Sequence, residues 1–169
     1  SLDRVWANGA LRPGAAVILT KPIGTGLISS AVKRNADDGP AGKEAVRWMK
    51  TLNGLGIEHL HAADVSAATD VTGFGLLGHA CELVGGGATL VIERDRVPRI
   101  PGVEAYFVDE CKTRGSRESR EFFGDRIGLP EDLDGWTRDL LFDPQTSGGL
   151  LVGVRPDEAF VAGLLHALG

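Results

Sequence analysis

One stretch limits what this chain can fold into more than any other: Ala67–Val84, AATDVTGFGLLGHACELV. A run of small residues leads to an acid, Asp70, and three glycines follow at Gly73, Gly75 and Gly78. Phe74, Leu77, Cys81 and Val84 then fall at i, i+3, i+7 and i+10, one face of a helix, which Gly85-Gly86-Gly87 stops. The pattern predicts strand, sharp turn and helix, with Asp70 and Thr72 held at the turn. Backbone N–H groups at such a helix start attract anions, and a carboxylate beside them can hold a hard cation. That combination suits a metal–phosphate ligand. The structural alternative is that Asp70 or Thr72 is simply the helix N-cap and the glycines are turn residues.

Composition narrows the classes. The chain has 169 residues, the size of about one domain. Its net charge of −5 disfavours a broad nucleic-acid surface. No apolar run approaches the ~20 residues of a membrane span. Ser1-Leu2-Asp3-Arg4 is polar with no hydrophobic segment after it, so no signal peptide is expected. Cys81 and Cys111 have no metal or redox spacing, Cys81 reads as a small buried hydrophobe, and the expected compartment is the cytoplasm. The chain opens without Met, which reads as a piece of a longer protein.

Taken in order, residues 1–14 are a lead-in and 15–169 a single domain. Ala15–Thr20 reads as a buried strand. Lys21-Pro-Ile-Gly24-Thr-Gly26 ends it, before a short helix over Leu27–Arg34. This resembles a phosphate cradle but has neither the dinucleotide fingerprint nor a P-loop. Lys21 is a phosphate contact or a solvated strand end. Asp37–Pro40 opens a helix with Ala45, Val46, Met49 and Leu52 on one face. His59 and His61 are paired ligands or surface residues. Ala88–Arg94 alternates as a half-buried strand, with Leu90 and Ile92 inward, and Val103–Lys112 reads as helical. Arg114–Asp134 shows no period and reads as a mixed-charge loop, either solvated surface or an Arg-bearing loop near a phosphate. A short helix, Trp136–Leu141, leads to Phe142-Asp143-Pro144-Gln145-Thr146-Ser147-Gly148-Gly149-Leu150, a tight turn. A strand over Leu150–Val154 leaves it, and Pro156 opens a last helix.

Two segments, Thr69–His79 (TDVTGFGLLGH) and Asp143–Leu151 (DPQTSGGLL), resemble the signature segments of the C-terminal domain of the selenophosphate synthetase (selenide, water dikinase) family. Leu19–Gly26 (LTKPIGTG) is similar to the segment that opens that domain. The resemblance runs from about Arg12 to Gly169 and extends to a superfamily that includes aminoimidazole ribonucleotide (AIR) synthetase.

The resemblance implies an α/β domain: a mixed β-sheet with helices packed on one face. It implies an ATP-dependent phosphotransferase that makes selenophosphate from selenide, releasing AMP and orthophosphate, and a homodimer of two-domain chains. Asp70 then matches an aspartate that binds magnesium on the ATP phosphates. Lys21, Thr72, Gly73, Ser147, Gly148 and Gly149 fall in matching motifs as nucleotide-side residues. The N-terminal ATP-binding domain, with its reactive Cys or selenocysteine and further aspartates, is not in this sequence, so no catalytic residue is assigned and the fragment alone is expected to be inactive. Gly115-Ser-Arg-Glu-Ser-Arg120 departs from the family's Gly-Gly-Thr segment, and the family's closing strand after the last helix is missing. The alternatives are a purine-pathway synthetase domain and a non-catalytic binding or dimerisation module.

Overall fold

The computed structural model describes residues 5–34, 39–54, 60, 64–107 and 112–156. Its sheet is hung on β3 (Leu150–Val154), with β1 (Ala16–Leu19) on one side and β2 (Val65–Asp70) on the other. Both flanking strands run antiparallel to β3. An isolated bridge between Ile23 and Arg99 adds a parallel pairing. β3 reads Leu-Leu-Val-Gly-Val with no polar alternation, as a strand covered on both faces should.

The helices are α1 (Thr25–Lys33), α2 (Pro40–Lys50), α3 (Gly75–Val84), α4 (Arg114–Phe123) and α5 (Gly135–Leu141). Leu27 and Ile28 of α1, Leu76, Leu77, Ala80 and Leu83 of α3, and Leu140 and Leu141 of α5 form one core with Val17, Leu19, Ala67 and Leu151 on a single face of the sheet. This is the expected layer of helices on a sheet. The other face carries Ile18, Val152 and Val154, covered by Leu60 and the ring of Trp6.

Local chemistry accounts for the element ends. Pro40 occupies the first turn of α2, where its missing N–H costs nothing. The side chains of Thr113 and Asp134 accept from Ser116 N and Thr137 N and so cap α4 and α5. Gly85 closes α3 in the left-handed region at φ 65°, and a Cβ there would run into the backbone of Gly9.

Several expectations are corrected. The buried stripe of α3 is Leu76, Leu77, Ala80 and Leu83; Phe74 is exposed, and Cys81 and Val84 are only half-buried. Burial nonetheless pushes the Cys81 thiol above its usual pKa. In α2, Val46 is exposed and Ala41 and Ala45 face inward, because α2 packs on α1 rather than on the sheet, and Leu52 lies exposed beyond the helix end. Leu90 and Ile92 do point inward, but 88–93 joins no ladder, so the alternation marks burial without strand pairing. Val103–Tyr106 is a 3-10 turn. The largest miss is 114–134, whose first ten residues are α4. His59, His61, Asp37, Asp38, Cys111 and the last helix lie outside the described residues.

Gly26 gives a test of the packing. A Cβ there would overlap the Pro144 carbonyl and sit 2.6 Å from both Asp143 carboxylate oxygens. Gly26→Ala should raise helix propensity by about 1 kcal/mol, yet overpacking costs about 1–3 kcal/mol against backbone that cannot yield. The expected outcome is a lower melting temperature for Gly26→Ala, with Gly54→Ala, which meets nothing within 4 Å, as the neutral control.

Candidate functional site

Because β1 and β2 both run antiparallel to β3, their C-terminal ends lie beside the N-terminal end of β3. Lys21, Asp70 and the Ser147-Gly148-Gly149 turn thus meet at one edge of the sheet. The junction is made of backbone: Val71 N donates to Gly149 O at 2.9 Å, Thr20 N to Leu150 O at 3.0 Å, and Leu150 N to Thr20 Oγ1 at 2.8 Å. A Cβ on Gly148 would overlap the Val71 carbonyl, and one on Gly149 would lie 2.6 Å from Lys21 N. Both glycines are therefore demanded by close backbone approach. Ser147 holds φ 51°, and its Oγ donates to Met49 O at 2.9 Å.

Lys21 is not a solvated strand end. It is 4% exposed, and its Nζ donates to Thr51 O at 2.7 Å and Ser147 O at 2.9 Å. Burial lowers its pKa. The ammonium ties the end of α2 to the Ser-Gly-Gly turn.

Asp70 is not a helix N-cap. The cap position of α3 is Phe74, with no side-chain cap bond, and Asp70 ends β2 with its side chain exposed. The polar contact holding its carboxylate is from Thr72 Oγ1 at 3.4 Å. Thr72 Oγ1 also lies 3.3 Å from His79 Nε2, which Phe74 N approaches at 3.4 Å. An N–H pointing at Nε2 makes that nitrogen the acceptor, so the proton sits on Nδ1, 3.0 Å from Glu82 Oε2. The buried imidazole thus braces the turn from beneath. Gly73 sits exposed at its tip. Asp70 and Thr72 offer oxygen donors, the kind a hard cation takes, and magnesium uses only one or two carboxylates per site. Among the described residues no group of three His, Cys, Asp or Glu could hold a metal.

The residues that organise this edge were not singled out by their spacing. Gln145 Oε1 accepts from Gly24 N (2.8 Å), Thr25 N (3.1 Å) and Thr25 Oγ1 (3.1 Å), and Asp143 Oδ2 accepts from Leu27 N at 3.0 Å. The Gly-Thr-Gly start of α1, which resembled a phosphate cradle, is filled by the chain's own side chains. Thr113 Oγ1 also donates to Asp143 Oδ1 (3.1 Å), and Gln145 N donates to Thr72 O (2.8 Å), linking α4 and the Asp70 turn to the same point. A signal was present: α1 begins without an Asp, Ser or Asn cap of its own, so its orphan N–H groups required a partner from elsewhere.

Asp143 has no exposed surface, and burial pushes its pKa up to about 7 against hydrogen bonds from Leu27, Thr113 and Gln145 that pull it down. Unfolded, it ionises near pH 4. The folded chain therefore holds a proton that the unfolded chain has lost, and this contribution to stability is complete below about pH 4 and disappears as pH rises through 7. Wild type should lose stability over pH 4–7 with a slope of up to about 1.4 kcal/mol per pH unit beyond that of Asp143→Asn, flattening above pH 7. Denaturant melts at four pH values measure it, and parallel curves would refute it.

Comparison with known proteins places the chain in a family. The family model "AIR synthase related protein, C-terminal domain" matches residues 12–169. Selenide, water dikinase of Citrifermentans bemidjiense is 43% identical over 157 residues, 92% of this chain and 45% of that protein. The same-named protein of Bordetella bronchiseptica is 44% identical over 155 residues, 90% of this chain and 44% of that protein. That of Yersinia pestis is 40% identical over 158 residues, 93% and 44%. The chain thus spans less than half the length of these curated relatives. On the match over 12–169, the chain belongs to the AIR synthase related family, as a C-terminal domain of the kind found in selenide, water dikinases.

Proposed function

We propose that this domain is the C-terminal half of an ATP-dependent selenide, water dikinase, which converts ATP, selenide and water to selenophosphate, AMP and orthophosphate. The observation that carries the reading is the state of Asp70. Its carboxylate is exposed at a strand end, steadied by Thr72, and makes no helix cap. A carboxylate with no structural task, at an edge built this tightly, is suited to a ligand.

In this reading Asp70 is the residue of this chain that would hold a magnesium ion, which would supply charge neutralisation for phosphoryl transfer. Thr72 donates to the Asp70 carboxylate, and His79 holds the turn by accepting from Phe74 N. The exposed backbone of Gly73 lies open to phosphate oxygens. Lys21, Gly148 and Gly149 act indirectly, as the clamp that keeps the β1, β2 and β3 ends in register, and Ser147 belongs to that clamp. ATP and selenide are the substrates, an N-terminal domain of the parent is the main partner, and the parent works as a homodimer.

The test uses Asp70→Ala and Asp70→Asn in this chain and in the full-length parent. Isolated-domain stability should stay within about 0.5 kcal/mol of wild type, as for sites without a structural role. Magnesium-dependent AMP release with selenide should collapse in the parent. The isolated domain should release no selenide-dependent AMP, since one aspartate cannot organise phosphoryl transfer alone. A destabilised domain beside a fully active parent would make Asp70 structural.

A further inference from the structure

A cation-lined cavity lies on the flank formed by α4 and α5. Six cationic side chains line a half-open cavity of about 560 Å³: Arg34, Lys112, Arg114, Arg117, Arg120 and Arg138. They are one third of the 18 Lys and Arg in a chain whose net charge is −5. Among the described residues two acids pair with them. Asp139 pairs with both Arg120 (3.6 Å) and Lys112 (3.8 Å), and Glu118 takes Arg114 at 2.6 Å. Among the described residues Arg34, Arg117 and Arg138 have no ion-pair partner, and the buried Nε of Arg138 has no hydrogen-bond partner.

The α4 periodicity explains the clustering. Arg114, Arg117 and Arg120 lie at i, i+3 and i+6 and so share one flank, beside the buried Ser116, Ser119 and Phe123 that seat the helix. Like charges at this spacing repel, and an anion between them removes the penalty. Thr113 and Ser116 at the capped start of α4 also line the cavity, where the helix dipole adds to the same field.

We infer that this cavity binds a small ligand bearing two or more adjacent phosphate groups. Five guanidinium forks match phosphate oxygens in bidentate geometry better than they match isolated charges. The volume is that of a small-molecule site, and a concave pocket on an otherwise acidic chain does not suit an extended nucleic-acid backbone. The phosphates come either from an inorganic oligophosphate or from the phosphate chain of a nucleotide. The site uses neither Asp70 nor Thr72 and does not rest on the dikinase reading.

The experiment is calorimetric titration of this 169-residue chain with sodium diphosphate, ADP, AMP and sulfate, without metal, alongside thermal melts. Diphosphate and ADP should bind at least tenfold more tightly than sulfate or AMP, raise the melting temperature and weaken with added salt. ADP tighter than diphosphate assigns a nucleotide, and the reverse assigns an inorganic ligand. Arg34→Gln with Arg117→Gln, both exposed and unpaired, should weaken diphosphate at least tenfold with the ligand-free melt unchanged, while Arg94→Gln outside the cavity should not. No diphosphate binding, equal binding of sulfate, or binding indifferent to the double variant would overturn the inference. The dikinase reading is judged separately by turnover of the parent.

Discussion

The architecture depends on a buried acceptor pair, the side chains of Asp143 and Gln145. Neither is more than 5% exposed, and between them they accept from Gly24, Thr25, Leu27 and Thr113. Burying a carboxylate is costly, and the cost is tolerable only when its oxygens are well satisfied. Here the same bonds satisfy the orphan N–H groups of α1, so two otherwise expensive features cancel. Gln145 also donates from Nε2 to Asp143 O at 2.6 Å, which stiffens the turn before the glycines.

This arrangement divides labour along the edge of the sheet. Segments that look most like ligand loops, Gly24-Thr25-Gly26 and Ser147-Gly148-Gly149, are consumed by internal contacts. Lys21 behaves likewise, spending its ammonium on two carbonyls. What remains outward is the turn carrying Asp70 and Gly73. The hydroxyl of Ser119 donates to Phe74 O at 2.6 Å, so α4 braces that turn from the far side. Rigidity beneath an exposed carboxylate is what a binding site requires.

Strand–turn–helix around Asp70, the β1 and β3 strands, α1 and α5 were all legible, because each rests on local pattern and punctuation. The failures came where tertiary context decides. Cys81 and Val84 fit a helical face, yet the neighbours of α3 select the stripe of Leu76 and Ala80. α4 was missed because its buried face is made of Ser116 and Ser119, small polar residues that a search for apolar periodicity ignores; Thr113 as cap with Phe123 one turn beyond Ser119 was the available clue. The roles of Asp143 and Gln145 were illegible for a simpler reason. Their partners at the start of α1 lie 116 to 121 residues away, and no window along the chain contains both.

That separation sets an order of assembly on the ribosome. β1 and β2 pair with β3 and not with each other, so neither strand has its sheet partner until residues 150–154 emerge. α1 meanwhile waits for a cap that is translated 116 residues later, on the order of 6–25 s at ordinary elongation rates. The apolar faces of α1 and α3 are made early and covered late. During synthesis the growing chain is therefore a set of amphipathic helices without a sheet, and the last strand described here completes the fold for everything before it.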